Sequence, residues 1–298
     1  MRKSLSILIP TYEYNVYPLV EILHAQATEA GILFEINVYD DASPNPQKAN
    51  EKINSLAEGN YTILPQNIGR SAIRNLLAQK ATYDVLLFLD ADTMVIHDNF
   101  IQTYLTALDD DTQIIYGGIV YQKTTPPADE KLRWVYGNKR EALPVSERIK
   151  QPHLRFLTLN FLIKKSVFSV LKFNEEIPNL RHEDTLFALD SKKKNIKVKH
   201  IENPVVHLGL ESSEVFLRKS IEAVDALKLF VSKGLISAEE TSLSKKGDQI
   251  KGGLIGGLVK LVYSLFKKPM EKNLLSTHPS LKVFDLYRLG YYLQKSES

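Results

Sequence analysis

The sequence predicts an α/β fold, with a mainly parallel central sheet flanked by helices and a helical extension at the C-terminal end. Short apolar runs alternate with segments of helical periodicity through about residue 114. Strands separated by helices are typical of right-handed β–α–β units and of parallel sheets. From residue 213 onward the pattern is mostly helical, and the chain is 44% hydrophobic, enough for a sizeable core.

The elements follow one another in a regular order. The first helix has Asn15 as a candidate N-cap and Pro18 in its first turn, and Gly31 ends it. Strands are expected at residues 5–9, 34–39, 61–64, 85–89, 115–122, 156–163 and 196–200. Helices are expected at residues 16–30, 48–56, 70–80, 165–171 and 183–194. We therefore expect a core domain over residues 1–212, with parts at 1–114 and 115–212, and a helical region over residues 213–298.

The composition excludes several classes of site. The sequence has no cysteine, which rules out disulfides, zinc–thiolate sites and thiol catalysis and fits a reducing compartment such as the cytoplasm. The formal net charge of +3 is too small to indicate a nucleic-acid partner. The apolar run at residues 5–9 is too short for a secretory signal, and we expect no bilayer-spanning segment.

Asp90 and Asp92 directly follow the apolar run at residues 85–89. Ligands bind at the carboxyl ends of strands in open α/β sheets, and paired carboxylates hold hard divalent cations such as Mn²⁺ or Mg²⁺. A cation held there can grip a diphosphate. The alternative is a strand end capped by polar residues, because either aspartate can also cap a following helix.

Asp40 and Asp41 end the second predicted strand, at the same edge of the sheet. One of these carboxylates is a candidate acceptor for a hydrogen bond from a nucleobase or a ribose hydroxyl. The alternative is an Asx turn, because Asp, Ser, Pro and Asn dominate turns.

A basic helix start follows the third predicted strand. Gly69 permits a tight approach, and the helix N-terminus offers free N–H groups to an anion. Arg70 and Arg74 lie one turn apart on one face, from which Arg74 supports either the acidic turns or a diphosphate. The alternative is an ordinary solvated basic face.

An acidic pair, Glu183 and Asp184, precedes a helix of apolar periodicity. One carboxylate is a candidate general base for transfer to a hydroxyl group. The alternative is a helix start whose acids complement the helix dipole. His207 lies beyond a further strand, where its imidazole suits a manganese-type ion, although a lone histidine is also commonly structural.

Five motifs occur in a fixed order over roughly residues 4–210. They are SILIPTY at residues 6–12, YDDAS at 39–43, N-x-G-x-x-x-x-R-N at 67–75, FLDADT at 88–93 and HED at 182–184. Together they resemble the family 2 glycosyltransferases of the GT-A fold, which use nucleotide sugars. Each motif is modest alone, but the five in this order are highly specific.

The resemblance implies how the nucleotide is bound. Residues 1–114 form the nucleotide-binding part, and residues 115–212 form the acceptor-binding part. The loop of Pro10, Thr11 and Tyr12 holds the nucleoside together with Asp41, which Asp40 supports. UDP is the family's default nucleotide, while GDP and thymidine diphosphate stay open.

The resemblance also implies the chemistry. Asp92 contacts the metal directly, and Asp90 reaches the ribose or a metal-bound water. Asp184 is the catalytic base, and Glu183 helps to position the acceptor, which is a glycan or a lipid-linked sugar. Family members invert the anomeric configuration, and nucleoside diphosphate leaves.

Several further residues are candidates for contact with sugars. Thr158 and Asn160 lie in the predicted strand that resembles the family's border of the donor sugar and acceptor, although a plain edge strand is the alternative. His182 is a further candidate. Trp134 can stack on an acceptor sugar, and core packing or a loop position is the alternative.

One departure from the family pattern bears on processivity. Processive polysaccharide synthases carry Q-x-x-R-W after the base, together with membrane spans. Here Arg133 and Trp134 are preceded by Glu130 at the Gln position, and they lie before the acidic pair in the chain. The sequence therefore predicts addition of one sugar at a time.

Residues 250–268 are apolar, contain glycines and are flanked by lysines. Because Lys260 interrupts the run, we expect it not to span a membrane. One interpretation is an interfacial amphipathic helix at the inner face of the cell membrane. The alternative is a helix that packs on the core or on a second subunit.

The leading prediction is an inverting, metal-dependent glycosyltransferase in cell-surface glycan assembly. A sugar-phosphate nucleotidyltransferase is one alternative, but it calls for a glycine-rich, basic loop after the first strand, and residues 10–14 are neither. A nucleotide- or glycan-binding protein without turnover is the other alternative, and the complete acidic set argues against it.

Overall fold

The computed structural model describes residues 3–176 and 183–294, which divide into two compact units. Within these residues the first unit comprises 3–122, 141–176 and 183–209, and the second comprises 123–140 and 210–294. The segment 123–140 thus groups with the C-terminal helices, whereas the sequence analysis placed it in the acceptor-binding part of the core domain.

Seven strands of the first unit form one sheet in the order β3-β2-β1-β4-β8-β6-β9, and three form a small sheet in the order β5-β10-β7. The strands are β1 Ser4–Thr11, β2 Leu33–Asp40, β3 Gly59–Ile63, β4 Val85–Leu89, β5 Thr93–Val95, β6 Ile114–Tyr116, β7 Ile119–Val120, β8 Asn160–Lys164, β9 Val198–His200 and β10 Val205–His207. In the large sheet only β8 runs antiparallel to its neighbours β4 and β6. The predicted mainly parallel sheet is confirmed.

Helices of the described residues cover both units. In the first unit they are α1 Tyr17–Glu29, α2 Arg70–Lys80, α3 Phe100–Ala107, α5 Val145–Arg148, α6 Lys165–Leu171 and α7 Glu183–Lys193, with a 3-10 helix at Lys48–Ser55. In the second unit they are α4 Lys131–Tyr136, α8 Ser213–Ser232, α9 Ser242–Ile250, α10 Leu254–Leu274 and α11 Leu281–Gln294. The predicted helical C-terminal region is confirmed.

The core of the first unit lies on the faces of β1 and β4, whose apolar residues are almost fully buried. Central strands that are covered on both faces have continuous apolar sequences, and the sequence therefore predicts these strands well. Phe88 of β4 stacks on Phe161 of β8 with 4.9 Å between ring centroids, and Phe168 of α6 covers the same ring at 5.3 Å. This packing fixes β4, the strand from which Asp90 follows.

Two predicted strands differ from the structure. The run 115–122 is divided into β6 and β7, because Gly117 and Gly118 turn the chain there, Gly118 with φ of +103°. A side chain at Gly118 would meet the buried Arg148 guanidinium at 2.8 Å. The predicted strand at 156–163 begins only at Asn160, whose partner Leu89 is the last residue of β4.

The second unit has an apolar core of its own, in which Leu132 from segment 123–140 is fully buried. The other members are Leu217, Tyr263, Met270, Leu274, Phe284 and Tyr287. Among the helices of residues 3–176 and 183–294, none is both long and apolar enough to cross a membrane.

Candidate active site

The parallel strands β1, β2 and β4 bring their carboxyl ends to one edge of the sheet. Thr11 ends β1, Asp40 ends β2, and Asp90 follows Leu89 of β4. The backbone N–H of Asp41 donates to the carbonyl of Thr11 at 2.9 Å, so the first two strand ends are directly joined. The acidic residues predicted from the sequence therefore share one rim.

The small sheet brings His207 to Asp92. In its register His207 of β10 lies opposite Thr93 of β5, the residue after Asp92. The Nε2 atom of His207 lies 3.3 Å from Oδ2 of Asp92, and the N–H of Leu208 donates to the Asp92 carbonyl at 2.7 Å. Residues 115 positions apart in the chain are thus adjacent through a short antiparallel ladder.

The donors around Asp92 suit a divalent cation only in part. Within the described ranges, no group of three or more acidic, histidine or cysteine residues is placed to hold a metal ion. Asp92 and His207 form a pair, and the Nδ1 atom of His207 is buried without a hydrogen-bond partner. A carboxylate and an imidazole fit Mn²⁺ or Mg²⁺ when substrate phosphates and water complete the coordination.

Arg74 is the cation at the centre of this rim. Its guanidinium donates to Oδ1 of Asp90 at 2.6 Å, and the Arg74 side chain is almost fully buried. Burial lowers the pKa of Arg74, but the charges of the surrounding carboxylates raise it above its ordinary value, Asp90 first and then Asp184 and Glu183. Arg74 therefore supports the acidic turn, one of the two roles that the sequence left open.

Asp184, at the start of α7, has a strongly perturbed carboxyl. Burial raises its pKa to about 7, and the neighbouring Glu183 adds to the rise. The charge of Arg74 and a hydrogen bond from the Thr158 hydroxyl to Oδ1 of Asp184 act in the opposite direction. A carboxyl with a pKa near neutrality, held in one orientation, is suited to accept a proton at physiological pH.

Glu183 lies beside Asp184 and faces a different cation, Arg70. Its Oε1 atom is 3.4 Å from the Arg70 guanidinium, while its own side chain is only 12% exposed. Arg70 and Arg74 of α2 thus each approach one acidic group of the rim. The contact of Arg74 with Asp90 matches one of the two roles predicted for Arg74, and the contact of Arg70 with Glu183 was not predicted.

The carboxylates of Asp40 and Asp41 accept hydrogen bonds from groups within the protein. The carboxylate of Asp41 accepts the N–H groups of Ile68 at 2.7 Å and Gly69 at 2.9 Å, directly before α2. The carboxylate of Asp40 accepts the N–H of Ser43 at 2.7 Å and the Tyr61 hydroxyl at 2.9 Å. These bonds match the alternative of turn residues, and they use two N–H groups that the sequence analysis expected to be free for an anion.

The loop after β1 contains the three residues predicted to bind the nucleoside, of which one is exposed and two are covered. Tyr12 is 50% exposed, whereas Thr11 is buried and Pro10 is partly covered. Sequence reasoning missed Tyr14 of the same loop. Burial raises the pKa of the Tyr14 phenol, and the charge of Asp92 adds to the rise.

Asn160 requires a correction. Its side chain is fully buried, accepts the Tyr104 hydroxyl at 2.7 Å, and donates to the carbonyls of Gly118 at 2.9 Å and Asn203 at 3.0 Å. Both amide N–H donors of Asn160 are thus used inside the protein, and the fully buried side chain is not presented to a sugar. Asn160 therefore joins β8 to the neighbouring turns.

The other predicted sugar contacts fall in different places. Thr158 is fully buried and acts on Asp184, as described above. Trp134 belongs to α4 of the second unit, where the Lys131 ammonium lies 5.5 Å from its ring centroid. His182 lies outside the described residues.

Gly209 is a site residue that sequence reasoning missed. A Cβ atom at this position would lie 2.1 Å from Oδ2 of Asp92 and 3.1 Å from Cε1 of His207. The backbone at Gly209 therefore closes against the Asp92–His207 pair. In the sequence, Gly209 is recognisable only as a glycine two residues after His207. That spacing indicates a site residue only when Asp92 is known to lie beside His207.

Comparison with known proteins decides the family. The model of glycosyl transferase family 2 matches residues 6–173, more than half of the chain. This chain belongs to glycosyl transferase family 2. Family membership makes it a glycosyltransferase, and the matched range contains four of the five motifs, with the fifth, at residues 182–184, beyond its end.

One curated relative and several solved structures are similar to this chain at low identity. An uncharacterized glycosyltransferase of Haemophilus influenzae is 24% identical over 216 residues, covering 69% of this chain and 79% of its own length. A mannosyltransferase from Pyrobaculum calidifontis, solved with GDP-Man and Mn²⁺, is 16% identical with a TM-score of 0.51, covering 75% of this chain and 63% of that chain. TarS 1-349 of S. aureus, solved with UDP-GlcNAc, is 17% identical with a TM-score of 0.52, covering 99% and 92%.

Proposed function

We propose that this glycosyltransferase moves a single sugar from a nucleoside-diphosphate sugar, with UDP as the favoured nucleotide, to a hydroxyl of a glycan or lipid-linked acceptor, with inversion. The observation that carries the proposal is Asp184, a partly buried carboxyl with a pKa raised to about 7, on the same rim as the Asp92–His207 pair. Two proteins of similar fold were solved with GDP-Man and with UDP-GlcNAc, which supports a nucleotide-sugar donor.

The proposed reaction assigns the proton to Asp184. The acceptor oxygen attacks the anomeric carbon while its proton passes to the Asp184 carboxylate. The bond between the anomeric carbon and the diphosphate oxygen breaks, and nucleoside diphosphate leaves from the opposite face. Thr158 orients the base, and Glu183, held by Arg70, helps to position the acceptor.

The nucleotide sugar is proposed to bind at the strand ends. Asp92 and His207 would hold Mn²⁺ or Mg²⁺, which would supply positive charge against the leaving diphosphate. Asp90, fixed by Arg74, would reach the ribose or a metal-bound water. Pro10, Thr11 and Tyr12 lie along the nucleoside, and Asp41, with Asp40 in support, shapes the turn around it.

We place this activity in the cytoplasm, in cell-surface glycan assembly. The cysteine-free sequence fits a reducing compartment. A lipid-linked acceptor brings the reaction to the inner face of the cell membrane.

A panel of UDP-, GDP- and thymidine-diphosphate sugars with Mn²⁺, scored by release of nucleoside diphosphate, tests the proposal. We expect release with at least one donor. Asp184→Asn removes the proton acceptor, so kcat falls roughly 100- to 10,000-fold while donor affinity changes little. Asp190→Asn, on the same helix, is the matched control and keeps its activity.

Three results contradict the proposal. Undiminished turnover in Asp184→Asn removes the assignment of the base. Binding of nucleoside diphosphates with no turnover across the panel favours a binding protein. Release of pyrophosphate from a nucleoside triphosphate and a sugar 1-phosphate favours a nucleotidyltransferase.

A further inference from the structure

Helix α10 is apolar on two opposite sides. Its inner side contributes four buried residues to the second unit, Gly256, Tyr263, Met270 and Leu274. Its other side exposes six large apolar residues to solvent by between 52% and 95%, Leu254, Ile255, Leu258, Leu261, Leu265 and Phe266. A surface helix ordinarily carries polar residues on the side away from the core.

Four of the exposed leucines form a continuous line, which we call the outer stripe. Leu254, Leu258, Leu261 and Leu265 are spaced by four, three and four residues, so they lie on one side of the helix. Their exposed fractions are 95%, 60%, 56% and 66%. Contiguous exposed apolar surface of this kind marks a contact with another molecule or with a membrane.

The charges on α10 indicate what that contact is. The spacing of the outer stripe continues into Lys268 and Lys272, both exposed, whereas Lys251, exposed just before the helix begins, lies 3.4 Å from Asp248. The one acidic residue of the α10 sequence is Glu271, which accepts the Tyr287 hydroxyl at 2.7 Å and lies 3.9 Å from Lys267. The outer stripe is therefore apolar, has no acid along it, and continues into two exposed lysines at the C-terminal end of the helix.

We propose that the outer stripe of α10 docks onto an anionic lipid surface, with the helix in the plane of the membrane interface. Apolar side chains then enter the boundary between head groups and acyl chains, while Lys268 and Lys272 contact lipid phosphates. A second copy of this chain fits less well, because its α10 presents the same lysines and offers no carboxylate on the stripe to receive them. The proposal does not depend on the transfer reaction.

Vesicle co-sedimentation of the full chain, without substrate, tests this proposal. We expect binding to phosphatidylglycerol–phosphatidylcholine vesicles that weakens with salt, and little binding to phosphatidylcholine alone. The triple variant Leu258→Gln, Leu261→Gln, Leu265→Gln should lose at least about tenfold in affinity, because its apolar area no longer enters the lipid. Lys268→Gln with Lys272→Gln should lower binding to anionic vesicles and reduce the salt dependence.

Val170→Gln is the matched control, since Val170 is 61% exposed on α6 of the first unit. It should bind as the wild type does, and circular dichroism should show unchanged folding in every variant. Wild-type protein that stays in the supernatant, or a triple variant that binds as well as wild type, overturns the proposal. A lipid-free dimer that the triple variant dissociates, without vesicle binding, would assign the outer stripe to a second copy instead.

Discussion

At the scale of single residues, the hydrogen bond from Thr158 to Asp184 helps to set the pH at which the proposed base is ionised. The bond favours the charged carboxylate and lowers its pKa, against the burial that raises the pKa to about 7. Because a general base acts in its deprotonated form, activity should fall as pH drops below this value. The acid limb of kcat/KM therefore reports Asp184.

Thr158→Val removes the hydroxyl and leaves a side chain of similar size. The pKa of Asp184 should rise, so the acid limb of kcat/KM should move upward by about 1 pH unit. A pH profile from 5 to 9 measures the shift. Thr158→Ser keeps the hydroxyl and should keep the limb in place; equal shifts in both variants would show that Thr158 acts by packing alone.

Gly209 is a second residue that matters for the site, because its missing side chain leaves space for the Asp92 carboxylate. In Gly209→Ala the new methyl group would lie 2.1 Å from Oδ2 of Asp92, so this carboxylate must turn away from His207. We expect a loss of roughly 10- to 100-fold in Mn²⁺ affinity, measured by electron paramagnetic resonance, with little change in melting temperature.

The matched control for this substitution is Gly257→Ala, since a Cβ at Gly257 of α10 meets no atom within 4 Å. It should bind Mn²⁺ as the wild type does. Unchanged Mn²⁺ affinity in Gly209→Ala would contradict the assignment of Asp92 to the metal.

At the scale of elements, α2 is the helix whose placement matters most for the site. Asp41 caps the turn before it through the N–H groups of Ile68 and Gly69, and α2 in turn carries Arg74 to Asp90. The alternation of strands and helices predicted α2 and its bounds. That two N–H groups of this turn are donated to Asp41 followed only from the folded arrangement.

Asp41→Ala leaves both N–H groups without their acceptor. We expect the free energy of unfolding to fall by about 1–3 kcal/mol, measured by urea denaturation, together with lower activity because Arg74 loses its support. Asp41→Asn retains one acceptor oxygen and should lose less. If Asp41→Ala is as stable as the wild type, Asp41 does not stabilise the fold and can act only in ligand binding.

At the scale of the whole molecule, segment 123–140 belongs to the second unit because Leu132 is buried in that unit's core. Leu132→Ala leaves a cavity there and should lower the free energy of unfolding by about 2–5 kcal/mol. Hydrogen exchange should rise in α8, α10 and α11 more than in β1 and β4.

Leu154→Ala is the matched control, because Leu154 is 43% exposed in the first unit. Its effect should stay within about 0.5 kcal/mol. Exchange that rises first in the central sheet of Leu132→Ala would contradict the placement of this segment.

The sequence by itself determined the parallel sheet, the strand ends that carry Asp40, Asp90 and Asp92, and the family, because buried strands and turn residues leave local patterns. Only the tertiary structure decided that Asn160 is buried, that Gly209 closes on Asp92 and that His207 stands beside Asp92. These relations join residues far apart in the chain, and no local spacing encodes which side chains a fold brings into contact.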